Sequence, residues 1–229
     1  MSSSESADDA PLLELESARI EQPAFTTEPL SASGGTRLVA LVGYFSPLFR
    51  LLYGEARLAS GAVRLAGQDA REAVRRGTAI VTAQSAPPLA RSVRQYLVAS
   101  ARLGLVEKRE AERRVGAVLE RLRLSSVAER ALADIADGER RRVSLARAAL
   151  ATATLVIAEA PFAELDLTTY ADVASLLDEL AAERRLIVSF PAEPEPDRGR
   201  ALLERADFTV RQNAYSTPQR ASAPGATSV

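Results

Sequence analysis

The sequence predicts an α/β fold whose core is a mostly parallel β-sheet. Strand-like and helix-like patterns alternate along most of the chain, which is typical of βαβ units. The strongest strand-like runs are continuously apolar, as expected for strands that are buried on both faces. The chain has 229 residues, which is enough for one domain with a subdomain and a substantial core.

The predicted elements begin with residues 12–20, whose alternation of apolar and polar residues predicts an edge strand. Residues 36–43 form a continuous apolar run that ends at a Gly, and they predict a buried strand. The next stretch predicts a helix with Ser46 as N-cap, Pro47 at the first helical position and Gly54 after its end. Further strands are predicted at 61–67, 78–84, 153–160 and 185–190, helices at 92–123, 139–150 and 167–183, and a short helix followed by a strand at 200–210.

Both ends of the chain are polar or of low complexity. Residues 1–10 and 211–229 are therefore predicted to be disordered tails around a domain that spans 11–210. The N-terminus lacks the charged and apolar regions of a signal peptide, and no apolar run reaches 18 residues. We expect a cytoplasmic protein that lies on the inner face of the membrane only through its partners.

Composition excludes several kinds of chemistry. The chain contains neither Cys nor His, which excludes disulfides, thiolate nucleophiles, Cys/His zinc sites and histidine general bases. Lys and Arg total 29 against 30 Asp and Glu, so no overall field favours a nucleic acid, and none is predicted as a partner.

The stretch from Gly43 to Gly54, GYFSPLFRLLYG, has the outline of a phosphate-binding turn between a strand and a helix. Such turns bind phosphate through Gly-rich backbone, a Lys and a hydroxyl group. This turn has no second Gly and no Lys, and it places Tyr44 and Phe45 where backbone would approach a pyrophosphate. Arg50 is a conceivable substitute cation, although a solvated helix residue is the simpler interpretation.

From Gly34 to Pro191, the order and spacing of the motifs resemble the ATP-binding subunit of an ABC transporter. Four further segments carry the resemblance besides the degenerate turn: AIVTAQSAPPLARSVRQYL, IADGERRRVSLARAAL, LVIAEAPFAELD and IVSFPA. The resemblance implies a P-loop NTPase-like ABC ATPase domain with a helical subdomain at about 86–145. In that family an aromatic residue near the N-terminus stacks on adenine, and Phe25 is the only candidate here.

The resemblance also implies that the catalytic residues are lost. In the signature motif, Ala136 replaces the Ser that reaches the partner's γ-phosphate, and Asp137 replaces the first Gly. A carboxylate at that position repels ATP. In the Walker B motif, Glu159 replaces the Asp that binds Mg²⁺, and Ala160 replaces the Glu that polarises water. Pro191 stands at the position of the switch His.

Other positions match the family's contacts with partners. Gln84 stands at the position of the Gln whose loop reaches the membrane subunit, with a solvated loop residue as the alternative. Gly138 and Glu139 keep part of the signature motif, and Leu165 and Asp166 keep the D-loop that crosses the dimer interface.

These losses predict a pseudo-ATPase without catalytic residues and with no expected cofactor or metal. The expected partners are a membrane permease and either an intact ABC ATPase or a second copy of the chain. One alternative is a scaffold or regulator of a cell-envelope machine. Another is an active ATPase in which Arg50, Asp137, Glu159 and Asp166 hold ATP and Mg²⁺ in a rewired site.

Overall fold

The computed structural model of the chain is an α/β domain with two β-sheets. It describes residues 10–21, 25–33, 35–82, 90–104, 107–163, 165–194 and 198–212. The strands are β1 (Leu13–Glu21), β2 (Phe25–Thr26), β3 (Leu30–Ser31), β4 (Leu38–Gly43), β5 (Arg57–Leu65), β6 (Gln68–Asp69), β7 (Ala79–Thr82), β8 (Leu155–Ala158), β9 (Arg185–Phe190) and β10 (Phe208–Gln212). The α-helices are α1 (Ser46–Tyr53), α2 (Ala70–Arg75), α3 (Val93–Arg102), α4 (Lys108–Arg121), α5 (Asp137–Leu150), α6 (Leu167–Glu183) and α7 (Arg198–Glu204).

The central sheet has the strand order β10-β4-β9-β8-β7, and every neighbouring pair in it is parallel. The predicted α/β fold with a parallel core is therefore confirmed. Because the strands are parallel, their carboxyl ends lie at one edge of the sheet, which is the usual place for a ligand in such folds. Gly43, Glu159 and Pro191 stand at the ends of β4, β8 and β9 and so come to this edge.

A second sheet is antiparallel, with the order β2-β1-β5-β6 and with β3 also paired to β1. The prediction of an edge strand at residues 12–20 is wrong, because β2 and β3 pair with one side of β1 and β5 pairs with the other. The strands β2, β3 and β6 were not predicted, since two-residue strands carry no periodic pattern.

The central sheet is covered on both faces by apolar side chains. Along β4, Leu38, Ala40 and Val42 belong to a core shared with α3, α4, α5 and α6. Val39 and Leu41 point to the other side and join a core shared with α1, α2 and the antiparallel sheet. This arrangement explains why β4 reads as a continuous apolar run, since both of its faces are buried.

The helical region predicted at 92–123 consists of two helices, α3 and α4, and Gly104 follows the first of them. These helices fall within the predicted helical subdomain, whose bounds of about 86–145 stay a prediction. At the C-terminal side, Arg211 and Gln212 belong to β10, so the prediction of a disordered tail is wrong for these two residues. The predicted N-terminal tail and the rest of the C-terminal tail lie outside the described residues, apart from Ala10. Within the described ranges, no helix has the length and apolar character that crossing a membrane requires.

The carboxylate of Asp207 joins the beginnings of two neighbouring strands. It accepts hydrogen bonds from the backbone N–H groups of Arg37 at 2.8 Å and Leu38 at 2.9 Å, 170 and 169 residues away in the chain. These bonds connect the approach to β10 with the start of β4. They hold the edge strand β10 against the site-bearing strand β4.

We expect Asp207→Ala to lower the free energy of unfolding by about 1–3 kcal/mol, because two backbone N–H groups lose their acceptor. Urea denaturation measures this difference. Asp178→Ala is the matched control, because it removes only a half-exposed ion pair with Arg205, for which a loss of about 0.2–1 kcal/mol is expected. Equal losses in the two variants would contradict the proposed role of Asp207.

Candidate functional site

A cavity of about 340 Å³ lies at the carboxyl edge of the parallel sheet. Among the described residues, its lining consists of residues 43–46 of the turn after β4, Phe49, residues 159–160, Ser189, Pro191 and Gln212. The structure thus brings together the degenerate turn, the Walker B position and the switch position. What these residues contact decides what the cavity can bind.

Aromatic side chains fill one side of the turn. The ring of Phe25 meets the rings of Tyr44 and Phe45 edge to face, with centroids 6.2 Å apart in both pairs. Phe25 and Phe45 are 4% and 2% exposed. Phe25, the only sequence-level candidate for stacking on adenine, is therefore packed inside the protein against the turn.

The first backbone N–H groups of the turn are bonded within the chain. Tyr44 N–H donates to the carbonyl oxygen of Gln212 at 3.0 Å, and Phe45 N–H donates to that of Gly43 at 3.1 Å. Gly43 has φ +108°, and a Cβ atom on it would lie 1.9 Å from the Gln212 oxygen. The surviving Gly thus allows β10 to close over the turn, where the backbone of an intact loop surrounds phosphate.

The N-terminus of α1 offers little to an anion. The helix begins at Ser46, and its N-cap is Phe45, which makes no capping bond with its side chain. The prediction of Ser46 as N-cap is therefore wrong, while Gly54 ends the helix in the left-handed conformation as predicted. Pro47 has no N–H group, and those of Leu48 and Phe49 donate to the Phe45 carbonyl oxygen at 2.9 and 3.4 Å. At most the Ser46 amide remains for a phosphate in the first turn.

Glu159, at the Walker B position, accepts a hydrogen bond from another side chain of the protein. It is 5% exposed, and its Oε2 accepts a hydrogen bond of 2.8 Å from the Tyr53 hydroxyl. The same hydroxyl lies 3.0 Å from the carbonyl oxygen of Thr82 at the end of β7. Burial, and then the negative charge of Glu159, raise the pKa of Tyr53 above its ordinary value. The phenol therefore remains a hydrogen-bond donor at neutral pH.

Tyr53 is a site residue that the sequence did not predict, as are Ser189 and Gln212. It lies in the last turn of α1, directly before the C-cap Gly54. No motif marks this position as polar or functional, and a Tyr at the end of an amphipathic helix is typical of packing. Only the fold places it beside Glu159, 106 residues further along the chain.

The positions of the polarising Glu and the switch His carry no titratable group. Ala160 has φ +41°, which is uncommon for a residue other than Gly. Its N–H donates to the Ser189 hydroxyl at 2.9 Å, which holds the segment after β8 against β9. Pro191 follows β9 on the cavity wall.

The start of α5, where the signature motif lies, bears two carboxylates. Ala136 is the N-cap, and its N–H donates to the Glu139 carboxylate at 2.8 Å. Asp137 is the first helical residue and forms an ion pair with Arg140. These acidic groups already complement the positive end of the helix, so they disfavour a phosphate there. Gly138 stays helical in this first turn.

The retained D-loop residues have structural contacts. Asp166 is the N-cap of α6, and it accepts hydrogen bonds from Thr168 N–H, Thr169 N–H and the Thr169 hydroxyl at 3.1, 3.0 and 2.6 Å. The Thr169 hydroxyl and amide lower the pKa of Asp166 below its ordinary value. Leu165 packs against the core, whereas Leu167 is 84% exposed. Gln84 lies outside the described residues, so its partner contact stays a prediction.

The four residues of the rewired-site alternative have four different partners. Arg50 lies 3.6 Å from Glu55, Asp137 pairs with Arg140, Asp166 bonds to Thr169, and Glu159 bonds to Tyr53. In the part of the chain that the structure describes, no three acidic side chains gather where they could hold a metal ion.

The architecture is that of a transporter ATP-binding domain. A solved structure described as the ATP binding subunit of an ABC transporter superposes with a TM-score of 0.73, over 93% of this chain and 90% of that one, at 18% identity. At that identity, the superposition establishes the fold alone.

The sequence comparisons establish the family. The ABC transporter family model matches residues 45–163, which is more than half of the chain, and the chain therefore belongs to that family. It is 30% identical over 182 residues to the sulfate/thiosulfate import ATP-binding protein CysA of Synechococcus elongatus, covering 77% of this chain and 52% of the relative. It is 31% identical over 121 residues to the pyoverdine export ATP-binding/permease protein PvdT of Pseudomonas fluorescens strain Pf0-1, covering 51% and 18%. The chain thus spans about half of one relative and a fifth of the other.

We expect Tyr53→Phe to lower the free energy of unfolding at pH 7 by about 1–3 kcal/mol, because Glu159 loses a donor while it stays buried. A raised folded-state pKa contributes stability that is present below the unfolded-state pKa and is lost as the pH rises. The wild-type protein should therefore lose stability above about pH 10, by up to about 1.4 kcal/mol per pH unit for this proton. The variant should lack this alkaline loss of stability in urea titrations between about pH 8 and 11.

Tyr44→Phe is the control for this experiment, because it leaves Glu159 and its donor in place. Burial also raises the pKa of Tyr96. The part of the alkaline loss of stability that comes from Tyr96 should therefore remain in all three proteins. If Tyr53→Phe has the same free energy of unfolding as the wild type at pH 7 and the same pH profile, the hydrogen bond to Glu159 contributes nothing to stability.

Proposed function

We propose that this chain is a non-catalytic subunit of an ABC transporter-type complex, a pseudo-ATPase that keeps the fold and has lost the chemistry. The observation that supports this most is the closed phosphate turn. Its N–H groups bond to Gly43 and Gln212, and its aromatic rings pack on Phe25. An intact turn of this kind presents backbone N–H groups to phosphate.

Several losses act together in this interpretation. Phosphoryl transfer needs a phosphate cradle, a metal and a positioned water at the same time, and such residues act as a unit. Here the cradle is closed, Glu159 is bonded to Tyr53, and Ala160 and Pro191 have no group that could position water. Loss of all these parts supports an absent activity rather than a slow one.

The partners follow from the family to which the chain belongs. We propose a dimer with an intact ABC ATPase or with a second copy, in which Asp137 and Glu139 face the partner's phosphate turn. We also propose a membrane permease as partner, and hence a location on the cytoplasmic face of the membrane. A pseudo-ATPase in this position acts as a structural or regulatory subunit.

A groove of about 560 Å³ is where we propose that the permease docks. Its lining includes Ile80 of β7 and Leu103, which follows α3. The strand β7 is an edge strand of the central sheet, and the chain continues from it toward residue 84. Leu103 is 86% exposed, and with Leu167 it is one of two large apolar side chains that stand out among the described residues. Arg75 and Arg76 add positive charge and share Glu72 as partner.

Isothermal calorimetry of Mg-ATP with the full chain tests the loss of nucleotide binding. We expect no heat of binding up to about 1 mM ATP, because the turn has no available cradle. An intact ABC ATPase measured under the same conditions is the positive control. Binding at micromolar ATP would overturn the pseudo-ATPase assignment.

Site-specific photocrosslinking in the organism that encodes the chain tests the partners. A photoreactive residue at Leu103 should crosslink to a cytoplasmic loop of a membrane protein, since the groove faces the permease in this proposal. The same residue at Leu167, the matched exposed Leu beside the D-loop, should crosslink to an ATPase subunit or to a second copy. Peptide mapping by mass spectrometry identifies both products. Crosslinks from Leu103 to a soluble protein alone would contradict a permease partner.

A further inference from the structure

The outer edge of strand β5 is mostly without a partner strand in the described part of the chain. On one side, β5 pairs with β1 from residue 57 to residue 65. On the other side it pairs only at residues 64–65, with the two-residue strand β6. Residues 57–63 therefore present a free strand edge, and the backbone N–H and C=O groups of such an edge can bond to a further strand.

A cavity of about 570 Å³ lies along this free edge, on the path that a longer β6 would take. The strand β6 ends at Asp69, whose carboxylate accepts hydrogen bonds from the N–H groups of Arg71 and Glu72 at 3.1 and 3.0 Å and thereby caps α2. The chain turns away from β5 at this point. An extended segment in the cavity would thus continue the antiparallel sheet where β6 leaves it.

The inner wall of the cavity is apolar. It includes Leu51 of α1, Ala56, and Leu58 and Val63 of β5. Leu51, Ala56 and Val63 are buried, and Leu58 is partly buried. Because the side chains of a strand alternate between its two faces, an added strand would direct every second side chain toward this wall. Apolar residues at those positions would fit it.

Two arginines give the cavity a positive charge. Arg57 and Arg71 line it and are exposed, and neither guanidinium has an ion pair or a hydrogen bond with any described residue. Glu21 is the register partner of Arg57 in β1 but forms no ion pair with it. A Cβ atom on Gly54 would lie 3.5 Å from Nη2 of Arg71, so this guanidinium lies at the cavity.

The carboxylates near these arginines have other partners. Asp69, the acidic residue of the lining, accepts the two backbone bonds that cap α2. Glu55 lies 3.6 Å from Arg50. Glu72 forms ion pairs with the two arginines at the end of α2. Carboxylates of a ligand would therefore find two available guanidinium groups, which are strong hydrogen-bond donors to such groups.

We propose that this cavity binds an extended segment of a partner protein in which acidic and apolar residues alternate, and that the segment adds a strand to β5. Main-chain bonds to the free edge supply affinity, while Arg57 and Arg71 select acidic side chains. A second copy of β5 suits the edge less well. The register with β1 shifts on both sides of Ser60, and such bulges hinder the pairing of identical edges. The inference goes beyond the proposed subunit role and does not depend on it.

Titration of the full chain with short peptides tests the inference. The probe is a capped seven-residue peptide of alternating Val and Glu, and the matched peptide has Lys in place of Glu. Nuclear magnetic resonance at constant ionic strength measures both affinities. We expect the acidic peptide to bind at least about tenfold more tightly and to shift the amide signals of residues 57–63. Equal affinities, or no binding of the acidic peptide up to about 5 mM, would overturn the proposal.

A third peptide separates strand addition from attraction by charge alone. It has the acidic sequence with N-methyl groups on alternate residues, on the edge that would face β5, so it keeps the carboxylates but cannot donate to the strand. We expect it to bind at least about tenfold more weakly than the unmodified acidic peptide. Equal binding of the two peptides would overturn the addition of a strand.

Variants locate the site. The double variant Arg57→Gln, Arg71→Gln should lose the preference for the acidic peptide over the Lys peptide. Its matched control is Arg102→Gln, Arg109→Gln, which removes the same charge from two exposed arginines outside the cavity lining and should retain the preference. If both double variants bind alike, the two arginines of the cavity do not select the ligand.

A second copy as occupant gives a different result. Sedimentation velocity of the chain would then show a dimer that the acidic peptide dissociates, and this outcome would overturn a separate partner. The Mg-ATP titration described above is independent of all these measurements. Binding of ATP would overturn the pseudo-ATPase assignment, whereas failure of the acidic peptide would overturn the peptide site alone.

Discussion

A carboxylate buried at the end of a β-strand must find a donor or a cation, and this requirement shapes the site of the protein. Glu159 is 5% exposed, and an unpaired charge in such a place is strongly unfavourable. In an active relative, a metal ion and its surroundings fulfil the requirement. Here the Tyr53 hydroxyl donates a hydrogen bond to Glu159, and it also lies 3.0 Å from the carbonyl oxygen of Thr82. One phenol thereby connects α1 with the ends of β7 and β8.

The backbone N–H groups in the turn after β4 have the same requirement for a hydrogen-bond partner. Buried N–H groups need acceptors, and without a phosphate they must be supplied by the chain. Gln212 and Gly43 supply them, and Gly43 is the residue whose missing Cβ allows Gln212 to come close. The packing of Phe25 on Tyr44 and Phe45 removes apolar surface from water beside this turn.

The scaffold of the family is present in this chain. The parallel sheet still brings β4, β8 and β9 to one edge, and the helices still cover both faces. The fold alone does not fix the chemistry at this edge, which depends on the residues that the strands bring there.

The sequence by itself determined the α/β class, most of the long helices and strands, and which catalytic residue types are missing. These follow from local periodicity and from motif order; α6 and β9, for example, have the predicted bounds. Only the tertiary structure decided the interior position of β1, the N-cap of α1 and the partner of Glu159. Each of these depends on residues that are far apart in the chain, as Tyr53 and Glu159 are, and local pattern contains no information about such distant contacts.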